Sequence, residues 1–89
     1  MADIEKIKVT ITEIGRRKNN VSESDIEGVV SDLKRVEYRV RRKENVHMIM
    51  YTVETETFSL CTHHAGSKNI LSCYVRNFLK AMINLGLYE

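Results

Sequence analysis

Three histidines, two cysteines and a run of cations are the side chains through which this chain could do chemistry. His47, His63 and His64 are its only groups that titrate near neutral pH without special surroundings, which suits them to general acid–base work. The competing reading is that they are ordinary surface histidines at strand ends. The stretch Lys34–Lys43, KRVEYRVRRK, carries Lys34, Arg35, Arg39, Arg41, Arg42 and Lys43 against one acid, Glu37. Alternating Arg39 and Arg41 would aim two guanidinium groups at one side of a strand, with Arg42 and Lys43 continuing into a turn. Such a stripe can hold phosphates, which dominate nucleic-acid affinity. The plainer alternative is a solvated face that keeps an edge strand from aggregating. Tyr38, Tyr51 and Phe58 read as structural, so no aromatic platform for base stacking is expected.

Cys61, His63, His64 and Cys73 fall within thirteen positions, and a tetrahedral zinc site needs four convergent ligands of these types. The paired Cys-x-x-Cys spacing is absent, and thiols acting as small apolar groups are the commoner case. The expectation is no metal and no cofactor, with a zinc-stabilised interaction domain as a remote alternative. No phosphate-cradling glycine loop, nucleophile elbow or paired-carboxylate signature is present.

These groups must be positioned by a small domain. The chain has 89 residues, 43% hydrophobic and 29% charged, which fits one globular domain over residues 1–89. No apolar run approaches a membrane span, and the opening MADIEKIKVT lacks the apolar core of a signal peptide. A cytoplasmic location follows as the expectation, with Cys61 and Cys73 kept as thiols. Net charge is only +2, but its distribution is uneven. Asp3, Glu5, Glu13, Glu23, Asp25, Glu27 and Asp32 crowd the first third. One side of such a surface attracts a polyanion and the other a basic partner.

The element pattern is α-α-β-β-β-α. Ile4, Ile7, Ile11 and Ile14 recur at helical spacing, while Ile7, Val9 and Ile11 also alternate as in a strand. The helix is preferred because the four isoleucines span the whole segment, with Asp3 as cap and the polar stretch from Gly15 as its end. Ser24 and Glu27 have capping-box spacing before a second stripe of Ile26, Val29, Val30 and Leu33. Tyr38 and Val40 alternate with arginines in a first strand, and Glu44–Asn45 reads as a turn. His47–Val53 reads as a second, most buried strand, and Glu54–Glu56 as another turn. Phe58, Leu60 and Thr62 mark a third strand. Short connections favour an antiparallel meander. Val75, Phe78, Leu79, Met82 and Ile83 share one face of a last helix, capped by Ser72 and stopped at Gly86. The fold class is therefore α+β, a three-stranded antiparallel sheet with helices on one face.

Several short stretches resemble the HicA family, the toxin component of HicA–HicB toxin–antitoxin systems, over most of the chain from about Ile4 to Leu87. Asn19-Asn20-Val21-Ser22 stands where the family has an Asn-Asn-Pro stretch opening the second helix. Asn45-Val46-His47 matches its Gly-Ser-His motif, with the first two residues replaced. Thr62-His63-His64-Ala65-Gly66-Ser67 matches its histidine–glycine loop, with Thr62 for a proline and Ala65 for a glycine. Tyr74-Val75-Arg76 matches the entry to its last helix.

The resemblance implies a fold like the double-stranded-RNA-binding domain and a metal-independent mRNA endoribonuclease. A histidine would take the proton of an RNA 2′-hydroxyl as it attacks the adjacent phosphorus. By position His47 would be that catalytic base, and His64 an acid or phosphate ligand. Arg39, Arg41, Arg42, Lys43 and Lys68 would be RNA contacts. The implied partners are RNA and a HicB-like antitoxin, with no membrane. The alternative is a non-catalytic module of the same fold that binds RNA or a protein.

Overall fold

A computed structural model describes residues 3–17, 20–46, 48–61, 70 and 72–88. The elements are α1 (Ile4–Arg16), α2 (Glu23–Arg35), β1 (Val40–Glu44), β2 (Met48–Val53), β3 (Glu56–Cys61) and α3 (Ser72–Asn84). The sheet is antiparallel in the order β1-β2-β3, with β2 central. The α-α-β-β-β-α order and the meander are those expected.

The helical period prevails in the first segment. Asp3 accepts a hydrogen bond from the Lys6 N–H at 2.9 Å and caps α1. Ile7, Ile11 and Ile14 are buried, whereas Val9 is 60% exposed, which a strand pairing it with Ile7 and Ile11 would not allow. Thr10 and Thr12 donate their hydroxyls to the Lys6 and Lys8 carbonyls one turn back, so these β-branched residues are accommodated in a helix. The polar stretch from Gly15 ends α1 as expected, at Arg16, but Gly15 itself is still helical. It is buried inside the last turn, where an added Cβ would lie 2.8 Å from Tyr88 Cζ. Its role is close approach rather than termination.

The α2 capping box also differs from the expected one. Ser22, not Ser24, is the cap, and Asp25, not Glu27, closes it. Ser22 Oγ accepts from the Asp25 N–H at 3.3 Å, and the Asp25 carboxylate accepts from the Ser22 N–H at 3.0 Å. The entry is fixed by Val21, which is fully buried and whose carbonyl accepts the Ile70 N–H at 2.8 Å. The helix must therefore start directly after Val21, and Ser24 is left exposed. Ile26, Val29, Val30 and Leu33 form the buried stripe as expected.

Helices α2 and α3 end alike. The Glu37 N–H reaches the Lys34 carbonyl and the Tyr38 N–H the Leu33 carbonyl. In α3 the Gly86 N–H reaches the Ile83 carbonyl and the Leu87 N–H the Met82 carbonyl. Both are Schellman motifs, with Glu37 (φ 71°) and Gly86 (φ 76°) in the left-handed position.

The strands reach further into their turns than expected, while β1 starts later, at Val40, and leaves Tyr38 outside it. Glu44 belongs to β1 and Glu56 to β3. The first turn is held by the Asn45 N–H to the Met48 carbonyl and the Met48 N–H to Asn45 Oδ1. The second is a two-residue loop, Glu54–Thr55, between the register partners Val53 and Glu56.

One contiguous core joins the helices to Ile49, Tyr51, Val53, Phe58 and Leu60 on one face of the sheet. Phe78, fully buried, meets Phe58 edge-on at a 5.2 Å centroid distance, and Phe58 leads to Tyr51 at 5.7 Å. Truncating Phe78 to alanine removes a core anchor worth about 3–5 kcal/mol. The α3 stripe is rotated from the expected one. Ala81 is buried against the Phe58 side of β3, and Ile83 is left 50% exposed. Ser72 is the first helical residue of α3 rather than its cap.

Candidate nucleic-acid interface

A strand presents successive side chains to opposite faces, and directly paired residues share a face. The register therefore sorts every side chain of the sheet. Arg42 pairs with Tyr51 and Tyr51 with Phe58, so all three lie on the helix-covered face. Arg41 pairs with Thr52 and Thr52 with Thr57 on the opposite, uncovered face. Lys43, Met50 and Ser59 form the next row of that face. Arg39 precedes Arg41 by two residues in an extended lead-in. Its backbone is clasped by Glu54, whose N–H reaches the Arg39 carbonyl at 2.8 Å and whose carboxylate accepts the Arg39 N–H at 3.3 Å.

The expected stripe is thus two sets of cations. Arg41 and Lys43 are exposed on the uncovered face, with Arg39 in alternation before them. Arg42 does not continue their line. It turns to the other face, donates to Glu44 Oε2 at 3.2 Å and lines the same recess as Tyr51. Those two residues hold the guanidinium above its ordinary pKa, the Tyr51 hydroxyl being the larger influence. Burial pushes the Tyr51 phenol up, and Arg42 partly offsets this. Arg42 was expected in a turn. It faces away from Arg41 and Lys43 because β1 runs on to Glu44, and a strand reverses its face at every residue.

Strand acids are segregated too. Glu44 pairs with Ile49 and Glu56 with Val53, which puts both on the helix-covered face. Glu56 is tied there by the Asn84 side-chain amide at 2.7 Å. Among the described strand residues, the uncovered face carries Arg41, Lys43, Met48, Met50, Thr52, Thr57 and Ser59, and no carboxylate. Thr52 and Thr57 hydroxyls lie 3.3 Å apart across β2 and β3. Met50 is 42% exposed between the cations and Ser59. The alternation of Met50, Thr52, Thr57 and Ser59 is visible in the sequence. Their membership of the same face as Arg41 needs the register.

His47, His63, His64 and Lys68 lie outside the described residues. The strand ends next to them in sequence are described: Met48, the first residue of β2, is the register partner of Cys61, the last of β3. Cys73 is an exposed free cysteine in the first turn of α3.

No helix among the described residues is long and apolar enough to cross a membrane. Compared with known proteins, the chain matches no family model, no curated protein and no solved structure.

Proposed function

We propose that this domain binds RNA through the uncovered face of its sheet. The observation that carries this reading is the segregation of charge: Arg41 and Lys43 stand on a face whose described strand residues include no acid, while Glu44 and Glu56 lie on the other. Cations on strands that place no carboxylate beside them attract phosphates and release their counterions.

The resemblance to HicA-type toxins extends the proposal to metal-independent cleavage. His47 is the candidate base for the 2′-hydroxyl, and His64 the candidate acid or phosphate ligand. Arg and Lys groups would steady the charge that develops on the phosphoryl oxygens. A HicB-like antitoxin with an acidic surface would then cover this face and compete with RNA.

Binding is tested by titrating a fluorescent single-stranded RNA at several salt concentrations. Arg41→Ala and Lys43→Ala should each flatten the log–log salt slope by about 0.7. Unchanged affinity and slope in the double variant would reduce the cations to a solvated edge. Cleavage is tested with purified protein. His47→Ala should lose at least about a hundredfold in rate, and a 2′-deoxy substrate should resist. Equal cutting by His47→Ala would sink the catalytic assignment and leave an RNA-binding module.

A further inference from the structure

We infer that the ligand is a single strand, laid with its backbone along β1 and its bases across β2 and β3. This rests on the RNA-binding reading above and adds the form of the RNA and its direction on the sheet.

The cations among the described strand residues of the uncovered face stand on one edge of it. Arg41 and Lys43 both belong to β1, and Arg39 leads into it. Side chains two residues apart on one strand are separated by about 6.6 Å. That step is of the order of the distance between successive phosphates of an extended chain. A row of this kind follows one backbone. A duplex presents phosphates from two backbones on either side of a groove and calls for cations in two separated rows. No second row stands on the described strand residues, where the corresponding positions of β2 and β3 are Met50, Thr52, Thr57 and Ser59; Lys80, which lines a recess with Thr57 and Ser59, belongs to α3.

Those uncharged positions suit bases. β2 and β3 lie about 5 and 10 Å from β1, beside a backbone held on β1. The Thr52–Thr57 hydroxyl pair and Ser59 each donate and accept, so they can meet the exposed edges of unpaired bases. Half-exposed Met50 offers a polarizable apolar surface for a base face. No aromatic side chain shares this face among the described strand residues. Stacking is therefore weak, and hydroxyl contacts give the site a preference among bases.

The test uses 2′-O-methyl oligonucleotides, which lack the nucleophile and stay intact, as a single strand and as a duplex of equal length. Anisotropy titrations compare wild type, Thr52→Val, Ser59→Ala and Arg41→Ala, each checked for an unchanged melting curve. The single strand should bind at least about tenfold tighter than the duplex. Thr52→Val and Ser59→Ala should each weaken single-strand binding several-fold with the salt slope unchanged, and Arg41→Ala should lower the slope by about 0.7. Equal or tighter duplex binding overturns the inference. So does single-strand binding that ignores Thr52→Val and Ser59→Ala; in both cases a slope that still responds to Arg41→Ala leaves the RNA-binding reading standing. Absence of salt-dependent binding to either form removes both.

Discussion

Arg42 and Tyr51 stand directly opposite one another across β1 and β2 on the helix-covered side of the sheet, where the phenol helps hold the guanidinium above its ordinary pKa. Tyr51 is only 3% exposed, so its hydroxyl has few alternatives to this partner. Arg42 therefore faces Tyr51 and Glu44 while Arg41, one residue away, faces the opposite side. Tyr51→Phe should cost about 0.5–1.5 kcal/mol in chemical denaturation. Arg42→Ala should leave the RNA salt slope at its wild-type value. A slope that falls as much for Arg42→Ala as for Arg41→Ala would contradict the division of the two arginines between faces.

The capping box of α2 makes stability depend on acid. The Ser22 N–H holds the Asp25 carboxyl below its ordinary pKa, the Ser22 hydroxyl and Arg17 act in the same direction, and burial opposes them. A depressed folded pKa means that the folded state favours the ionised form. Its stabilisation is full above the unfolded pKa of about 3.9 and is lost as pH falls through the folded value. Urea midpoints should hold near pH 6 and decline below about pH 4. Asp25→Asn should be less stable at neutral pH and should show a shallower acid decline. An identical acid profile in Asp25→Asn would show that other carboxylates control it.

Gly28 and Gly86 should respond to alanine with opposite signs, and Glu37 should respond to glycine. Gly86 has φ 76°, and a Cβ there would meet nothing within 4 Å, so Gly86→Ala should lose about 1 kcal/mol through backbone conformation alone. Gly28 is exposed in the middle of α2 with equally open space, so Gly28→Ala should gain about 1 kcal/mol. Glu37 occupies in α2 the position that Gly86 has in α3, at φ 71°. Glu37→Gly should therefore stabilise by up to about 1 kcal/mol. Thermal melts of the three variants decide it; a Glu37→Gly protein that melts lower would refute the shared-motif argument.

Much of the architecture was legible because periodicity records burial. The isoleucines of α1, the Ile26–Leu33 stripe and Val75, Phe78, Leu79 and Met82 all face the core. The misreadings share one cause: a local signal was overruled by a distant contact. Ser24–Glu27 has the right spacing for a cap, but Ile70 pins Val21 and the cap falls on Ser22. Ile83 fits the helical stripe, but α3 is turned to bring Ala81 onto β3. In the candidate site, the shared side of Arg39 and Arg41 was readable from alternation. The separation of Arg42 from Lys43 was not, because Glu44 resembled a turn residue until the pairing with Ile49 placed it in a strand. The expectations for His47, His64 and Lys68 fall outside the described residues.

The close approach of Gly15 and Tyr88 also orders the assembly in time. These residues are separated by about seventy positions, whereas β2 and β3 are joined by a two-residue loop. Loop-closure entropy rises with the length of chain enclosed, so contacts across the tight hairpin are reached before those that dock α1 beside Tyr88. A folding nucleus in the hairpin and α3 gives high φ-values for Phe58 and Phe78 and low ones for Ile11. Until α1 meets α3 and Tyr88, its stripe of Ile7, Ile11 and Ile14 is covered by α2 alone, and the half-assembled chain is most prone to associate with its own copies at that stage. A φ-value near one at Ile11 would reverse this order and make α1 an early organiser of the domain.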